Sequence, residues 1–325
     1  MPVNVVRDAR RADKCGERLR IGLINNMPDG ALKATERQFL TLLNSAAGDI
    51  PVHLSLYAVP GVPRTKSGQC HIDSYYLSVS ELWDNDLDGI IMTGAEPCAP
   101  DIRQEPYWNA LTQVFEWARE HTRSAIWSCL AAHAAVLHLD GIGRYRLSQK
   151  RFGVFECVRG ENDPLTAGLP SSFQTPHSRW NDVPERPLAD CGYRILSRDS
   201  NGGADAFLKN GKSLFVFFQG HPEYETDTLL LEYRRDVGSY LRRERSTFPE
   251  MPEGYFDDES IDMFRSLREE ILSKRSNELP VTLSGGHMEK RIANTWSCHA
   301  RRVYKNWIEY LCVRDDQLGQ TAFAK

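Results

Sequence analysis

Short apolar runs, some alternating with polar residues and some unbroken, recur along this chain with helix-period stretches between them. Leu19 to Asn25 (LRIGLIN) predicts a strand, Met27 to Gly30 a turn, and Ala34 to Ser45 a helix with Thr35 near its start. Val52 to Ala58 alternates as a second strand, and the Pro- and Gly-rich residues 60 to 75 predict a loop. LDGIIMTGAEP predicts a third strand ending in a glycine turn. Trp108 to Glu120 is amphipathic, Ser124 to Trp127 is strand-like, and a helix starts at Leu130.

From about Gly153 the pattern changes to short strands, GVFECV, YRILSRD, DAFLKN and SLFVFFQ, divided by turns at Gly192, Gly202-Gly203 and Gly211. A helix from Asp227 to about Arg243 follows. Residues 245 to 292 are polar, carry Pro249, Pro252 and Pro280, and predict a long irregular segment before the helical period returns in TWSCHARRVYKNWIEYLCV. This alternation predicts an α/β fold with a mainly parallel sheet, helices on both faces and an added antiparallel part. The expected organisation is a basic N-terminal arm over 1–18, one domain over 19–313 with the last helix packed back on it, and a tail over 314–325.

Composition removes several functions. The 325 residues carry a net charge of −4, which is no electrostatic footprint for nucleic acid. Apolar runs such as Leu214 to Phe218 are strand-length, far short of a bilayer span, and the N-terminus lacks a signal peptide's apolar core. Eight scattered cysteines without a CxxC pair or zinc-type histidine spacing predict reduced thiols in a cytoplasmic protein, with no metal and no bound cofactor.

Two segments carry the chemistry. AIWSCLAAHA places Cys129, and LFVFFQGHPEY places His221 and Glu223, where apolar strands break into small or turn-forming residues. Ligands of open α/β sheets bind at that end of the strands. A thiol is a strong nucleophile as the thiolate, a form favoured at a helix N-terminus beside a histidine. The Leu130 N–H points where an oxyanion would form, and the Gly94-Ala95 turn offers a second donor. His221 and Glu223, two apart in extended chain, return to one side, so the carboxylate fixes the imidazole as in a nucleophile–base–orienter set. A lone cysteine or histidine is more often a core residue; the joint placement favours the functional reading.

The order of strand, cysteine elbow and helix, then a strand ending in H-P-E, resembles the class I glutamine amidotransferase fold. Within it, NNMP (25–28), TERQFLTLL (35–43), DGIIMTGA (88–95), EPYW (105–108), PHSRW (176–180), GHPEY (220–224), EYRRDV (232–237) and NWIEYL (306–311) resemble homoserine O-acyltransferases of the succinyltransferase type, used in methionine biosynthesis. The resemblance implies that Cys129 takes the acyl group of an acyl-CoA as a thioester. His221 then serves as base for the thiol and for the hydroxyl of L-homoserine, oriented by Glu223. It further implies substrate binding by Lys150, Ser178 and Arg235, an acyl-choice role for Ser178, and a homodimer.

The chain departs from the family pattern twice. The residues after NNMP are about two longer than usual, which weakens the carry-over of Lys33 as an active-site lysine. Where the family places glutamate for acetyl-CoA or glycine for succinyl-CoA, this chain has Cys98, with Glu96 two residues earlier. A neutral Cys98 leaves room for the succinyl carboxylate, which a carboxylate there would repel, so succinyl-CoA is favoured over acetyl-CoA. Serine as acceptor differs from homoserine by one methylene, and a glutaminase on the same fold would use the same three residues.

Overall fold

Buried, β-branched and aromatic runs become strands, and the intervening amphipathic segments cover them. The computed structural model describes residues 4–5, 18–95, 97–200, 203–274 and 291–313. In chain order the elements begin with β1 (Asn4–Val5), β2 (Leu19–Ile24), α1 (Asp29–Ala47), β3 (Val52–Ala58), α2 (Lys66–Tyr75), β4 (Leu77–Ser78), β5 (Gly89–Thr93) and α3 (Trp108–His121). Next come β6 (Ser124–Ser128), α4 (Leu130–Asp140), β7 (Tyr145–Arg159), β8 (Ser172–Asp182), α5 (Glu185–Asp190), β9 (Arg194–Asp199), β10 (Ala204–Lys209) and β11 (Leu214–Phe218). The chain closes with α6 (Thr228–Leu241), α7 (Asp258–Lys274) and α8 (Ser297–Cys312).

Among the described residues the sheet has eleven strands in the order β1-β3-β2-β5-β6-β11-β10-β9-β7-β8, with β4 also on β3. Pairs from β1 through β6 to β11 are parallel, and those from β11 to β8 are antiparallel. Consecutive side chains leave opposite faces of a strand. In β6, Trp127 therefore joins the core under α3 and α4, while Ile126 joins Phe39 of α1 and Tyr304 and Trp307 of α8. The last helix thus packs back on the domain. A third cluster joins Phe152 and Val154 of β7 to α6 and α7.

Four expectations need correction. Residues 66–75, expected as loop, form α2, which starts where the Thr65 hydroxyl accepts from the Gly68 N–H at 3.2 Å. The segment 245–292 is not wholly irregular. Glu253 pairs with β7 through Val154 N–H to Glu253 O at 2.8 Å, and α7 follows, its start capped by Asp257 accepting from Ser260 N–H at 2.8 Å. Phe264, Leu267 and Ile271 give α7 a buried stripe at helical spacing; the surrounding charges hide it in a polar count.

PHSRW, not assigned to a strand above, lies in β8, where Pro176 is tolerated because, among the described residues, β8 pairs with a strand on one side only. The predicted solvated arm contains a strand, Asn4–Val5, parallel to His53–Leu54; the rest of 1–17 and the tail from 314 lie outside the described residues.

Candidate active site

The two carriers of chemistry end adjacent parallel strands. Ser128 of β6 lies opposite Phe218 of β11, and Cys129 N–H donates to Phe218 O at 2.7 Å. Three residues beyond Phe218, the His221 N–H donates at 2.8 Å to Pro176 O on β8. This backbone bond ties the base's turn to the edge strand, through the carbonyl of a residue that has no N–H of its own to offer.

Cys129 has φ 52° and ψ −110°, a conformation that side-chain-bearing residues avoid at a cost of about 1–3 kcal/mol. The elbow passes directly from β6 into α4, so the thiol stands at the helix N-terminus, where N–H groups lack intrahelical acceptors. Gly94, at the end of β5, makes this packing possible. A Cβ there would lie 2.2 Å from Leu130 Cβ and 2.6 Å from Ala131 N. The Gly94 backbone therefore lies directly against Leu130 and Ala131 in the first turn of α4.

His221 and Glu223 are buried, and the His221 Nδ1 lies 2.8 Å from Glu223 Oε1. With Nδ1–H donating to the carboxylate, Nε2 is the face left for chemistry. Burial alone would lower the imidazole's pKa. The Glu223 charge and the Cys129 sulfur outweigh it and hold His221 well above the usual histidine value. The Cys129 side chain is within hydrogen-bonding reach of this imidazole. The ring of Tyr224 stacks on His221 at 4.3 Å and 17°.

The remaining predicted residues gather elsewhere. Lys150 sits on β7 with Nζ 3.7 Å from Glu232 and 3.6 Å from Asp236, and 4.0 Å over the Phe152 ring. Ser178 on β8 donates to Glu232 Oε2 at 2.5 Å, and Tyr224 OH donates to Glu232 Oε1 at 2.5 Å. Arg235 turns outward, its side chain 58% exposed and its guanidinium on Asp236 at 3.0 Å. Lys33 and Cys98 are exposed, and Glu96 lies outside the described residues.

Glu232 is the centre of this rim, and sequence reasoning named it only as the first residue of EYRRDV. The signal was available. Glu232 and Asp236 are four apart on α6, so their carboxylates share a helix face, and both reach Lys150.

Among the described residues one group has metal-ligand composition. Donor atoms of Cys157, His177 and Asp205, all buried, lie within 4.8 Å of one another. Arg179 Nε–H donates to His177 Nδ1 at 3.2 Å, which leaves the proton of a neutral ring on Nε2, facing Asp205 Oδ1 at 3.3 Å. A cation on Nε2 would require an imidazolate beside a guanidinium. Burial also pushes the Cys157 thiol up, away from its ligating form. The donor set therefore fits a neutral histidine aimed at a carboxylate better than a metal.

Among the described residues no helix is long and apolar enough to cross a membrane, and each described cysteine is free.

Comparison with known proteins supplies the family. The family model for homoserine O-succinyltransferase matches residues 2–318. A homoserine O-succinyltransferase of Rhodopseudomonas palustris is 43% identical over 309 residues, covering 94% of this chain and 93% of the relative. That of Bradyrhizobium japonicum is 43% identical over 294 residues, covering 90% of each chain. In fold, the chain resembles a solved glutamine amidotransferase from Methylobacillus flagellatus, with TM-score 0.50, 15% identity, and coverage of 90% of this chain and 95% of that one. With its elbow cysteine and H-x-E turn in this sheet and a family match over nearly its whole length, the chain belongs to the homoserine O-succinyltransferase family of acyltransferases.

Proposed function

We propose that this protein transfers the succinyl group of succinyl-CoA to the hydroxyl of L-homoserine, in methionine biosynthesis, through a thioester on Cys129. The observation that carries the reading is the strained cysteine elbow beside a buried His221–Glu223 pair, in a chain of this family. His221 Nε2 takes the thiol proton and the sulfur attacks the thioester carbonyl of the donor. The oxyanion is held by Leu130 N–H and the Gly94-Ala95 turn, and CoA leaves as its thiol with the proton from His221. The imidazole then takes the homoserine hydroxyl proton as that oxygen attacks the enzyme thioester. Collapse releases the O-succinyl ester, and the proton returns to the Cys129 sulfur.

The rim supplies substrate recognition in this reading. Lys150 and Arg235 are cations for the amino acid carboxylate, Glu232 takes its ammonium, and Ser178 adjoins the acyl path. Succinyl-CoA is favoured as donor because Cys98 is neutral, and homoserine is favoured over serine on the family match. Glutamine hydrolysis is the competing chemistry of this fold, and the family match weighs against it. A homodimer and a cytoplasmic location are part of the proposal; light scattering that finds a monomer at micromolar concentration would remove the first.

The test is a donor and acceptor screen. CoA release should be fastest with succinyl-CoA and homoserine. Ammonia release from glutamine, with no CoA release from any acyl donor, would contradict the proposal.

A further inference from the structure

Below the reactive pair lies a buried polar network that the reaction itself does not use. Gln219, two residues before His221, is fully buried and fully committed. Its Nε2 donates to Asp182 Oδ1 at 2.7 Å and to Ala204 O at 2.6 Å. Its Oε1 receives Arg179 Nη1 at 3.2 Å, Val183 N–H at 3.1 Å and His133 Nε2 at 2.9 Å.

This pattern fixes the orientation of the amide, because a flipped Gln219 would set its NH2 against the Arg179 and Val183 donors. Both amide hydrogens are spent, so His133 must be the donor and carries its proton on Nε2. Burial lowers the pKa of His133 to about 4, which keeps that ring neutral with a single N–H.

His133 belongs to the nucleophile's own helix. Its backbone N–H donates to Cys129 O at 3.2 Å in the first turn of α4, and its side chain reaches the strand end that leads to the base. Two ties therefore join the thiol's support to the imidazole's support. One is the backbone bond from Cys129 N–H to Phe218 O, and the other is His133 to Gln219. Gln219 is also held from below by its N–H to Asp205 O at 2.8 Å. At Gly220 a Cβ would fall 2.7 Å from Asp205 Oδ1 and 2.9 Å from His177 Cε1, so the turn rests directly on the neighbouring buried pair.

We propose that His133 and Gln219 are positioning residues: their hydrogen bond sets the separation of Cys129 and His221 by locking the nucleophile helix to the base turn. The inference rests on the reading of Cys129 and His221 as nucleophile and base, and neither positioning residue touches substrate. A shift of about 1 Å between reacting groups is enough to cost up to about a hundredfold in rate, so a lost tie acts on kcat before binding.

The experiment compares His133→Leu, which removes the donor, with His133→Gln, whose amide nitrogen reaches the place of the imidazole Nε2. Each variant is assayed for kcat and KM and for the pH dependence of Cys129 alkylation by iodoacetamide without substrate. His133→Leu should lose about tenfold in kcat with the KM for succinyl-CoA within about twofold. Its alkylation profile should move to higher pH by about half a unit or more, because a thiolate further from the imidazolium is less stabilised. His133→Gln should recover both to near wild type. Should His133→Leu fail to fold, His133→Asn, too short to reach Gln219, takes its place under the same criteria.

Wild-type kcat and an unmoved alkylation profile in a folded variant would overturn the proposal. Equal losses in the short or apolar variant and in His133→Gln would do so as well. A shifted and rescued alkylation profile in an enzyme that shows no succinyl transfer would instead leave the positioning role standing and remove the proposed function.

Discussion

The reactive centre and the rim beside it are built on different principles. Cys129, His221 and Glu223 are placed by backbone: a positive-φ elbow, a bond from Cys129 N–H to Phe218 O, and a bond from His221 N–H to Pro176 O. Lys150, Ser178, Arg235 and Glu232 are placed by side chains that satisfy one another, with Glu232 and Asp236 as the shared acceptors. The centre is therefore arranged by the backbone in the way the proposed reaction requires. The rim holds charges balanced among themselves, which in the proposed reading a zwitterionic acceptor exchanges for its own carboxylate and ammonium. Tyr224 joins the two, its ring on His221 and its hydroxyl on Glu232.

If the centre alone does the chemistry, Cys129→Ser gives the largest effect. Turnover should fall by at least about ten-thousandfold, since a neutral hydroxyl is a far weaker nucleophile than a thiolate. Initial rates with both substrates saturating measure it, and a Cys129→Ser enzyme at wild-type rate would move the nucleophile elsewhere.

Next comes Glu223→Gln, expected to lose about 10²–10⁴-fold in kcat. The sign of its pH effect follows from the site. Glu223 raises the His221 pKa, so its neutralisation lets the imidazole lose its proton at lower pH, and the imidazolium that stabilises the Cys129 thiolate disappears sooner. Alkylation of Cys129 should then need higher pH. A profile shifted to lower pH would contradict this account of the pair.

The centre and the rim separate most cleanly in variants of the latter. Arg235→Met and Lys150→Met should raise KM for homoserine by about 10–100-fold while acylation by succinyl-CoA proceeds at close to the wild-type rate. Single-turnover acylation without acceptor is the readout. Equal slowing of both half-reactions would place these cations in the centre instead.

Legibility in the sequence divides along the same line. The placement of Cys129, His221 and Glu223 at the strand ends was readable because each follows an apolar run that stops at small or turn residues, a pattern caused by the backbone geometry that positions them. Neither the positive φ of Cys129 nor the fit of Gly94 against Leu130 was readable, since both depend on two strands becoming neighbours. In the parallel half of the sheet β2, β3, β5, β6 and β11, with the helices α1, α3 and α4, followed from the sequence pattern, whereas β1 and β4 did not. β8 was concealed by Pro176, and α2 by the prolines and glycines just before it, at 60 to 63. α7 was concealed by the charges around Phe264, Leu267 and Ile271. Lys150, Ser178 and Arg235 came from family resemblance, and Glu232 emerged only when β7, β8 and α6 were brought together.

The smallest expected effect concerns the donor. Cys98→Glu should depress kcat/KM for succinyl-CoA by about tenfold, while acetyl-CoA use is kept or improved, because a carboxylate there repels the succinyl terminus. Cys98 is exposed on the loop after Ala95, so the ratio of the two donors on one preparation is the proper measure. An unchanged ratio would show that Cys98 does not line the acyl path.

The central claim is that the acyl group rests on the elbow cysteine between donor and acceptor. Intact-mass analysis of the protein after incubation with succinyl-CoA alone tests it most directly. The account predicts one added succinyl group per chain, absent in Cys129→Ala and discharged when homoserine is added. Turnover by a wild-type enzyme that never carries this adduct, or an adduct that persists in Cys129→Ala, would contradict it.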